Sequence, residues 1–521
     1  MAVSHAVTSA VGRLPRPCPG ATFARVSADP NSVNGTSHDY DLIAIGSGPG
    51  GQRAAIQAAK LGKRVALVER KVDIGGVCVR TGTIPSKTLR EATVALSGYR
   101  DRGFMGSHAN GHQFGMADLI LRTDQVVRNE VDVVRDQLLR NGIDLYDGTA
   151  SFIDQHALAV DDRDGHQRQT ISGAVIVIAT GTTATRDAHI PFDRRRIITS
   201  DDAITMDRLP RTMAVVGAGV IGLEYASMFA ALGTRVTLID KRPHLLPFID
   251  SEIMDALAFH MRERRMTLWL GEEVSGLDLD EGDDGKVRIH LASGKHIVAE
   301  KALYSIGRSG ATRRLNLPAA GLAADERGRL AVDEHYRTAV PHIYAVGDVI
   351  GFPSLASTSL EQGRLAACHA FGIAARSVPR LVPYAVYTIP EISAVGRTEE
   401  DLTREGIPYE VGKAQYKEIA RGQIIGDRTG LLKLIFHWET HELLGVHIIG
   451  EGASELIHIG QAVMTYGGSV EHFVDTVFNY PTLAECYKTA ALDGLNRLDS
   501  WQTPSVAVAQ AAATEPLLPT E

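Results

Sequence analysis

The sequence lacks the cysteine content of a disulfide-rich or zinc-binding protein. Only four cysteines occur among 521 residues, at the widely separated positions Cys18, Cys78, Cys368 and Cys486. This spacing provides neither a disulfide framework nor a set of zinc ligands. We therefore expect no metal site. A reducing compartment such as the cytoplasm is favoured, because free thiols persist there.

The sequence also lacks an excess of basic residues and any long hydrophobic run. The formal net charge at pH 7 is −8, whereas a nucleic-acid-binding protein needs a basic surface. No apolar segment reaches the roughly 18–20 residues that span a bilayer. We therefore expect neither nucleic acid nor a membrane among the partners.

The two ends of the chain differ in composition from the rest. Residues 1–38 are rich in Ala, Ser, Pro and Val, and no acidic residue precedes Asp29. We interpret this segment as a disordered N-terminal extension, with a transit peptide as the alternative. Residues 501–521 are likewise predicted to form a disordered tail.

What the sequence does contain is a repeated strand–turn–helix–strand unit. Residues 39–70 form the first copy and residues 211–241 the second, and each copy ends its second strand with an acid. The turn glycines of the two copies, each in the pattern G-x-G-x-x-G, are Gly46, Gly48 and Gly51, then Gly217, Gly219 and Gly222. The closing acids, Glu69 and Asp240, each lie 23 positions after the first glycine.

This pattern has a specific physical meaning. The first glycine permits a tight turn, the second lets the backbone approach a pyrophosphate, and the third lets helix and strand pack closely. The helix N-terminus presents free N–H groups and a partial positive charge to the phosphates. The closing acid accepts hydrogen bonds from a ribose. Two such sites in one chain predict a permanently held flavin and a nicotinamide coenzyme that exchanges.

Two further segments support the flavin. "VIVIATG" predicts a strand that runs into a turn of small residues at Thr180 and Gly181. "HIYAVGDV" predicts a strand that ends at Asp348, whose carboxylate is suited to a ribityl hydroxyl. The alternative for Asp348 is a turn residue that caps the next helix.

The order of these motifs, together with "GGVCVRTGTIPSK" at residues 75–87 and "YPTLAE" near the end, resembles the flavoprotein disulfide reductases. The resemblance covers residues 39–500. It implies an α/β fold with two Rossmann-like dinucleotide-binding domains, for FAD and NAD(P), plus an α+β C-terminal dimerisation domain. The implied boundaries are residues 39–190 with 311–380 for FAD, 191–310 for NAD(P) and 381–500 for the dimerisation domain. A homodimer is implied, and larger assemblies are known in the family.

The resemblance also implies roles for individual residues. Lys87 and Glu224 would form an ion pair beside the flavin ring. The predicted FAD-contacting residues are Gly46, Gly48, Gly51, Glu69, Cys78, Lys87, Gly148, Thr180, Gly181 and Asp348. The predicted NAD(P)-contacting residues are Gly217, Gly219, Gly222, Asp240, Lys241, Arg242 and Gly307.

Two departures from the family pattern decide the expected chemistry. The disulfide reductases pass electrons through Cys-x4-Cys, but here Thr83 stands at the second cysteine position. They also use a histidine before Pro-Thr, and here that position is Tyr480. The joint absence of the second cysteine and the histidine resembles the pattern of the pyridine nucleotide transhydrogenases within the family. Cys78 then becomes mainly a packing residue.

These features predict hydride exchange between NADPH and NAD⁺ in two half-reactions at one flavin, in either direction. Lys87 would stabilise negative charge on the flavin and Glu224 would orient Lys87; a purely structural ion pair is the alternative. Other functions left open are an NAD(P)H diaphorase or quinone reductase, a dihydrolipoamide dehydrogenase-like enzyme, and a catalytically silent flavin-bearing subunit.

The end of the second copy bears on the choice of coenzyme. Asp240 favours the free 2′-hydroxyl of NAD(H), whereas the adjacent cations Lys241 and Arg242 favour the 2′-phosphate of NADP(H). This combination predicts that both NAD(H) and NADP(H) are accepted. Ordinary loop charges are the alternative interpretation of the two cations.

Overall fold

A computed structural model describes residues 38–101, 116–164, 168–280, 285–375 and 381–502. The predicted disordered ends fall almost entirely outside the described residues. At the C-terminus the last helix continues to Gln502, so the chain is still ordered at the position where the tail was predicted to begin.

The secondary structure follows the repeated pattern. Up to residue 184 the elements are β1 (Tyr40–Ile45), α1 (Pro49–Lys60), β2 (Val65–Glu69), α2 (Gly76–Arg80), α3 (Thr83–Asp101), α4 (Met116–Arg140), β3 (Asp144–Asp147), β4 (Thr149–Phe152), β5 (Ala157–Asp161), β6 (Arg168–Ile178) and β7 (Thr182–Ala184). Then come β8 (Ile197–Ile198), α5 (Ser200–Ala203), β9 (Thr212–Val216), α6 (Val220–Ala231), β10 (Arg235–Asp240), α7 (Ser251–Glu263), β11 (Thr267–Leu270), β12 (Val274–Leu279), β13 (Val287–Leu291), β14 (His296–Ala299), β15 (Lys301–Tyr304) and β16 (Arg308–Gly310).

The remaining elements complete the first sheet and build the C-terminal part. They are β17 (Ile343–Ala345), α8 (Ala356–Ala370), β18 (Tyr384–Val386), β19 (Ile392–Gly396), α9 (Glu399–Glu405), β20 (Tyr409–Gln415), α10 (Ala420–Ile425), β21 (Leu431–His437), β22 (Leu443–Ile449), α11 (Ala453–Thr465), α12 (Glu471–Asp475) and α13 (Glu485–Gln502). Short 3₁₀ turns occupy Leu317–Ala320, Gly347–Ile350 and Tyr416–Glu418.

Each glycine-rich repeat lies in a parallel sheet of its own. In the first sheet, β1 pairs in parallel with β2 and β6, and β17 from much later in the chain pairs with β6. In the second, the order is β11-β10-β9-β15-β8. Strands such as β1 and β9 are almost continuously apolar because they are covered on both faces. The carboxyl ends of β1 and β9 therefore carry the two predicted dinucleotide sites.

The C-terminal part is an antiparallel sheet in the order β18-β19-β22-β21-β20, with α11 and α13 packed against it. Together the three sheets confirm the predicted fold class. The pairing of β17 with β6 agrees with a discontinuous first domain, and the domain boundaries themselves remain a prediction.

A buried charge cluster joins α7 to the C-terminal sheet. The side chain of Lys433, on β21, is fully buried. Its Nζ lies 2.8 Å from Asp250 Oδ1 and 3.0 Å from Glu252 Oε2, and it also contacts Glu399. Burial alone would lower the pKa of Lys433, but hydrogen bonds to these carboxylates outweigh burial and raise it. We call these four residues the Lys433 cluster.

Among the described residues, no helix combines the length and the apolar character needed to cross a bilayer.

Candidate functional site

The first glycine-rich turn has the geometry that its sequence predicts. Gly46 has φ +104°, a conformation that residues with a side chain rarely adopt. A Cβ atom on Gly51 would lie 1.9 Å from the Gly46 carbonyl oxygen, so only glycine lets α1 begin this close to β1. A Cβ on Gly48 would meet nothing within 4 Å. The turn is thus closed on its inner side and open where a pyrophosphate would bind.

The acid that ends β2 is held by the backbone of the same turn. Glu69 Oε2 accepts hydrogen bonds from Ser47 N at 3.0 Å and Ser47 Oγ at 2.7 Å. Glu69 Oε1 accepts from Lys71 N at 2.9 Å. The carboxylate is therefore fixed beside the open turn, where it can accept hydrogen bonds from a ribose. Gly148 adjoins it, since its N–H donates to the Glu69 carbonyl oxygen at 2.9 Å.

The second glycine-rich turn repeats this construction. Gly217 has φ +100°, and a Cβ on Gly222 would lie 1.9 Å from the Gly217 carbonyl oxygen. A Cβ on Gly219 would again meet nothing within 4 Å. Asp240 Oδ2 accepts from Ala218 N at 2.6 Å, as Glu69 does from Ser47. The two turns therefore offer the same type of site.

The two cations that follow Asp240 have different surroundings. Arg242 lies directly on the Asp240 carboxylate, with Nε 2.9 Å from Oδ1 and Nη2 2.8 Å from Oδ2. Burial alone would raise the pKa of Asp240, but hydrogen bonds from Arg242 and Ala218 outweigh it and lower the pKa. Lys241 is exposed and lies 3.8 Å from Glu273. The role of both cations in binding a 2′-phosphate stays a prediction.

The segment with the single cysteine lies next to the first turn. A Cβ on Gly76 would lie 2.7 Å from Gly48 Cα, so the start of α2 crosses the glycine-rich turn. Thr83 begins α3 and lies next to Cys78. Burial raises the pKa of Cys78, and the neighbouring Thr83 hydroxyl only partly offsets the effect. The thiol is therefore mostly protonated at neutral pH and has no second sulfur in the position that a disulfide requires.

One turn further along α3, Lys87 forms the predicted ion pair. Its Nζ lies 2.8 Å from Glu224 Oε2, on α6 of the second parallel sheet. The Glu224 side chain is 5 % exposed and that of Lys87 27 %. Tyr387 completes the arrangement, because its N–H donates to Glu224 Oε1 at 2.9 Å and its ring centroid lies 4.8 Å from Lys87 Nζ. The pair thus joins the two nucleotide-binding parts, with the ammonium still open to one side.

Asp348 belongs to a hydrogen-bonded network with Thr182 and Arg308. The Thr182 hydroxyl donates to Asp348 Oδ2 at 3.3 Å, and Arg308 Nε donates to Thr182 Oγ1 at 2.8 Å. Arg308 also reaches Asp201, with Nη1 3.4 Å from Oδ1. Burial raises the pKa of Asp348, while Arg308 and Thr182 partly offset it. Asp348 and Lys87 both lie close enough to Cys78 for their charges to act on its thiol, so the three residues lie in one region.

The residues around Thr180 fit a bound flavin dinucleotide. Thr180 Oγ1 is buried with no hydrogen-bond partner among the described residues, although buried hydroxyls are normally paired. A Cβ on Gly181 would meet nothing within 4 Å. A Cβ on Gly307, a residue predicted to contact NAD(P), would also meet nothing within 4 Å. A polar ligand could accept a hydrogen bond from the Thr180 hydroxyl and lie against the open backbone at Gly181.

Several residues of the site were not predicted from the sequence. Arg308 could have been recognised only from its position directly after Gly307, a predicted site residue. Thr182, Asp201 and Tyr387 carry no local pattern that marks them. Tyr480, at the family's histidine position, is 74 % exposed in the single chain.

Comparison with protein families agrees with this geometry. Residues 40–363 match the model of the pyridine nucleotide-disulphide oxidoreductases, and residues 382–491 match the dimerisation domain of the same family. The chain is 55 % identical over 461 residues to a soluble pyridine nucleotide transhydrogenase of Mycobacterium bovis, covering 88 % of this chain and 98 % of the relative. It is 45 % identical to one from Colwellia psychrerythraea, with 89 % and 99 % covered.

Solved structures show the same relationship. The HOCl-induced flavoprotein disulfide reductase RclA of Escherichia coli superimposes with a TM-score of 0.78 at 29 % identity, covering 87 % of this chain and 99 % of that one. LpdA of Mycobacterium tuberculosis gives a TM-score of 0.79 at 27 % identity, with 86 % and 98 % covered. The chain therefore belongs to the pyridine nucleotide-disulphide oxidoreductase family.

Proposed function

We propose that this protein is an FAD-dependent transhydrogenase that exchanges a hydride between NADPH and NAD⁺. The observation that carries the proposal is the intact Lys87–Glu224 ion pair on the same helix as Thr83, the residue that stands beside Cys78 where a disulfide would need a second sulfur. The site keeps the electrostatics that suit a redox flavin, but it has no dithiol to accept the electrons. Relatives named as soluble pyridine nucleotide transhydrogenases support this assignment.

The FAD would be held by the first glycine-rich turn, Glu69, Thr180 and Asp348. When bound, FAD supplies a ring that accepts a hydride from one nicotinamide and returns it to another. The protein's residues provide position and charge. Lys87 places a positive charge 2.8 Å from Glu224, and Glu224 is itself fixed by the Tyr387 N–H. This fixed ammonium favours the negatively charged state of a neighbouring group.

The nicotinamide coenzyme would bind at the second turn, with Asp240 at its ribose and Gly307 near the open backbone. The dimerisation domain supports a homodimer. We also propose a cytoplasmic location, together with the domain boundaries and the individual contacts given above.

The test is an anaerobic stopped-flow experiment on the purified holoenzyme. NADPH should bleach the flavin absorbance, and thio-NAD⁺ added to the bleached enzyme should restore it while thio-NADH appears. Bleaching that recovers with a quinone but not with thio-NAD⁺ would refute the proposal in favour of a quinone reductase. Absence of bleaching would refute it in favour of a catalytically silent subunit.

A further inference from the structure

The two copies of the dinucleotide unit allow a comparison within one molecule. In both, the closing acid accepts a hydrogen bond from the backbone N–H that follows the first glycine: Ser47 to Glu69, and Ala218 to Asp240. In both, the other carboxylate oxygen accepts from the N–H two residues after the acid, at 2.9 Å and 2.8 Å. The backbone frames around the two acids are therefore equivalent.

The side chains on the two acids are different. Among the described residues, Glu69 receives side-chain hydrogen bonds only from the Ser47 hydroxyl. Asp240 is covered by the Arg242 guanidinium, which donates to both carboxylate oxygens. In the second copy, Arg242 therefore occupies the edge of the Asp240 carboxylate. No cation occupies the corresponding edge of Glu69 among the described residues, so a ribose could bind there.

This cover affects the two coenzymes in opposite ways. A free 2′-hydroxyl can donate to Asp240 only if it displaces Arg242. A 2′-phosphate, by contrast, would be repelled by the Asp240 carboxylate alone. When Arg242 is paired with Asp240, the guanidinium neutralises the negative charge that the phosphate meets. Arginine has about five N–H donors, and two of those of Arg242 are used on Asp240. The others remain for the phosphate, a geometry that suits arginine well.

Displacement of Arg242 from Asp240 is feasible because the arginine lies at the surface. The Arg242 side chain is 43 % exposed although that of Asp240 is only 7 % exposed. An exposed guanidinium can rotate into water without leaving its charge buried, and the remaining backbone hydrogen bonds keep Asp240 in place.

We propose that Arg242 selects between the two coenzymes by occupying Asp240: the closed pair binds the 2′-phosphate form, and the open pair binds the 2′-hydroxyl form. One side chain with two positions then gives one site two specificities. This inference rests on the proposed function, because it assigns the second turn to the exchanging coenzyme.

The test uses fragments that cannot transfer a hydride. ADP-ribose and 2′-phospho-ADP-ribose are titrated calorimetrically into the oxidised holoenzyme and into Arg242→Ala. Loss of charge-assisted hydrogen bonds should weaken binding of the phosphorylated fragment roughly ten- to hundredfold. Binding of ADP-ribose should become about three- to tenfold tighter, because nothing has to be displaced. Loss of affinity for both fragments in this variant would overturn the inference.

A second variant tests the opposite sign. Asp240→Asn keeps an oxygen for the Ala218 N–H and removes the negative charge that would repel a 2′-phosphate, while the Arg242 guanidinium stays available to it. The phosphorylated fragment should therefore bind more tightly, and ADP-ribose, which loses its carboxylate acceptor, more weakly. The matched control is Arg235→Ala, which removes an exposed arginine at the other end of β10 and should leave the ratio of the two affinities unchanged.

The outcomes separate this inference from the function on which it rests. If both fragments bind the wild type but the ratio of their affinities is the same in all variants, the role of Arg242 is wrong and hydride exchange stands. If neither fragment binds the wild type, the assignment of the second turn is wrong, and the inference falls with it.

Discussion

Replacing Lys87 by methionine separates a catalytic from a structural role for the Lys87–Glu224 ion pair. Methionine keeps most of the side-chain volume and removes the charge. Glu224 then retains one hydrogen bond, from the Tyr387 N–H, and its carboxylate stays buried. We expect slower reduction of the flavin by NADPH and a lower free energy of unfolding, with FAD still bound.

The structure sets the size of both effects. Removing one partner of a buried pair costs about 3–5 kcal/mol, and the partial exposure of Lys87 places this pair near the lower value. Removing one fixed group that stabilises developing charge typically costs about a hundredfold or more in rate. Because Glu224 already compensates part of the Lys87 charge, we expect a decrease of about a hundredfold.

The rate is measured per bound flavin by stopped-flow absorbance under anaerobic conditions, and stability by urea unfolding of the holoenzyme. Glu224→Gln is the companion variant, since it weakens the pair while keeping the ammonium. Lys295→Met is the matched control. Lys295 lies on the exposed turn between β13 and β14, and its ammonium is 2.7 Å from the Glu272 carboxylate. The control should change neither quantity.

A rate per bound flavin that stays at the wild-type value in Lys87→Met would refute the electrostatic role. If Lys87→Met and Glu224→Gln lower stability equally and neither slows flavin reduction, the pair is structural only. If Lys87→Met alone slows the reaction, the charge of Lys87 is what matters.

Three further predictions concern single positions. Gly51→Ala should abolish FAD binding, whereas Gly222→Ala should retain FAD but lose its reduction by NADPH, because each Cβ would lie 1.9 Å from a carbonyl oxygen; flavin content and bleaching measure this. Thr83→Cys should form a disulfide with Cys78 when oxidised by diamide, so that complete anaerobic reduction consumes two equivalents of NADPH; one equivalent would contradict the placement. Because burial raises the pKa of Asp348, the folded state binds its proton more tightly than the unfolded chain, and stability from this group is lost as pH rises above about 3.9. Asp348→Asn should therefore raise the unfolding midpoint of the apoprotein at pH 7 while weakening FAD retention, and a lower midpoint would be evidence against this reasoning.

The sequence was sufficient for the parts of the site that depend on local backbone geometry. A glycine at the first position of each turn and an acid at the end of the following strand can be recognised because their spacing follows from one strand–helix–strand unit. The fold class follows from the same units, and the structure confirms it.

Contacts between distant segments could not be predicted from the residues alone, and the Lys87–Glu224 pair was expected only because of the family resemblance. Tyr387 donates to Glu224 across 163 positions, and Thr182 donates to Asp348 across 166. No periodicity in a single sequence records such pairs. The contact between Arg242 and Asp240 could not be predicted for another reason. A cation two residues after an acid can point to a ligand or fold back on the acid, and only side-chain packing decides.

The Lys433 cluster has a consequence for how coenzymes are replaced. It fixes the beginning of α7, a helix that follows the second glycine-rich unit, to the C-terminal sheet through a fully buried ammonium. Opening a hinge at this place would expose several charges whose partners are then lost, a costly motion. We therefore expect the two coenzymes to enter and leave through a permanently formed cleft.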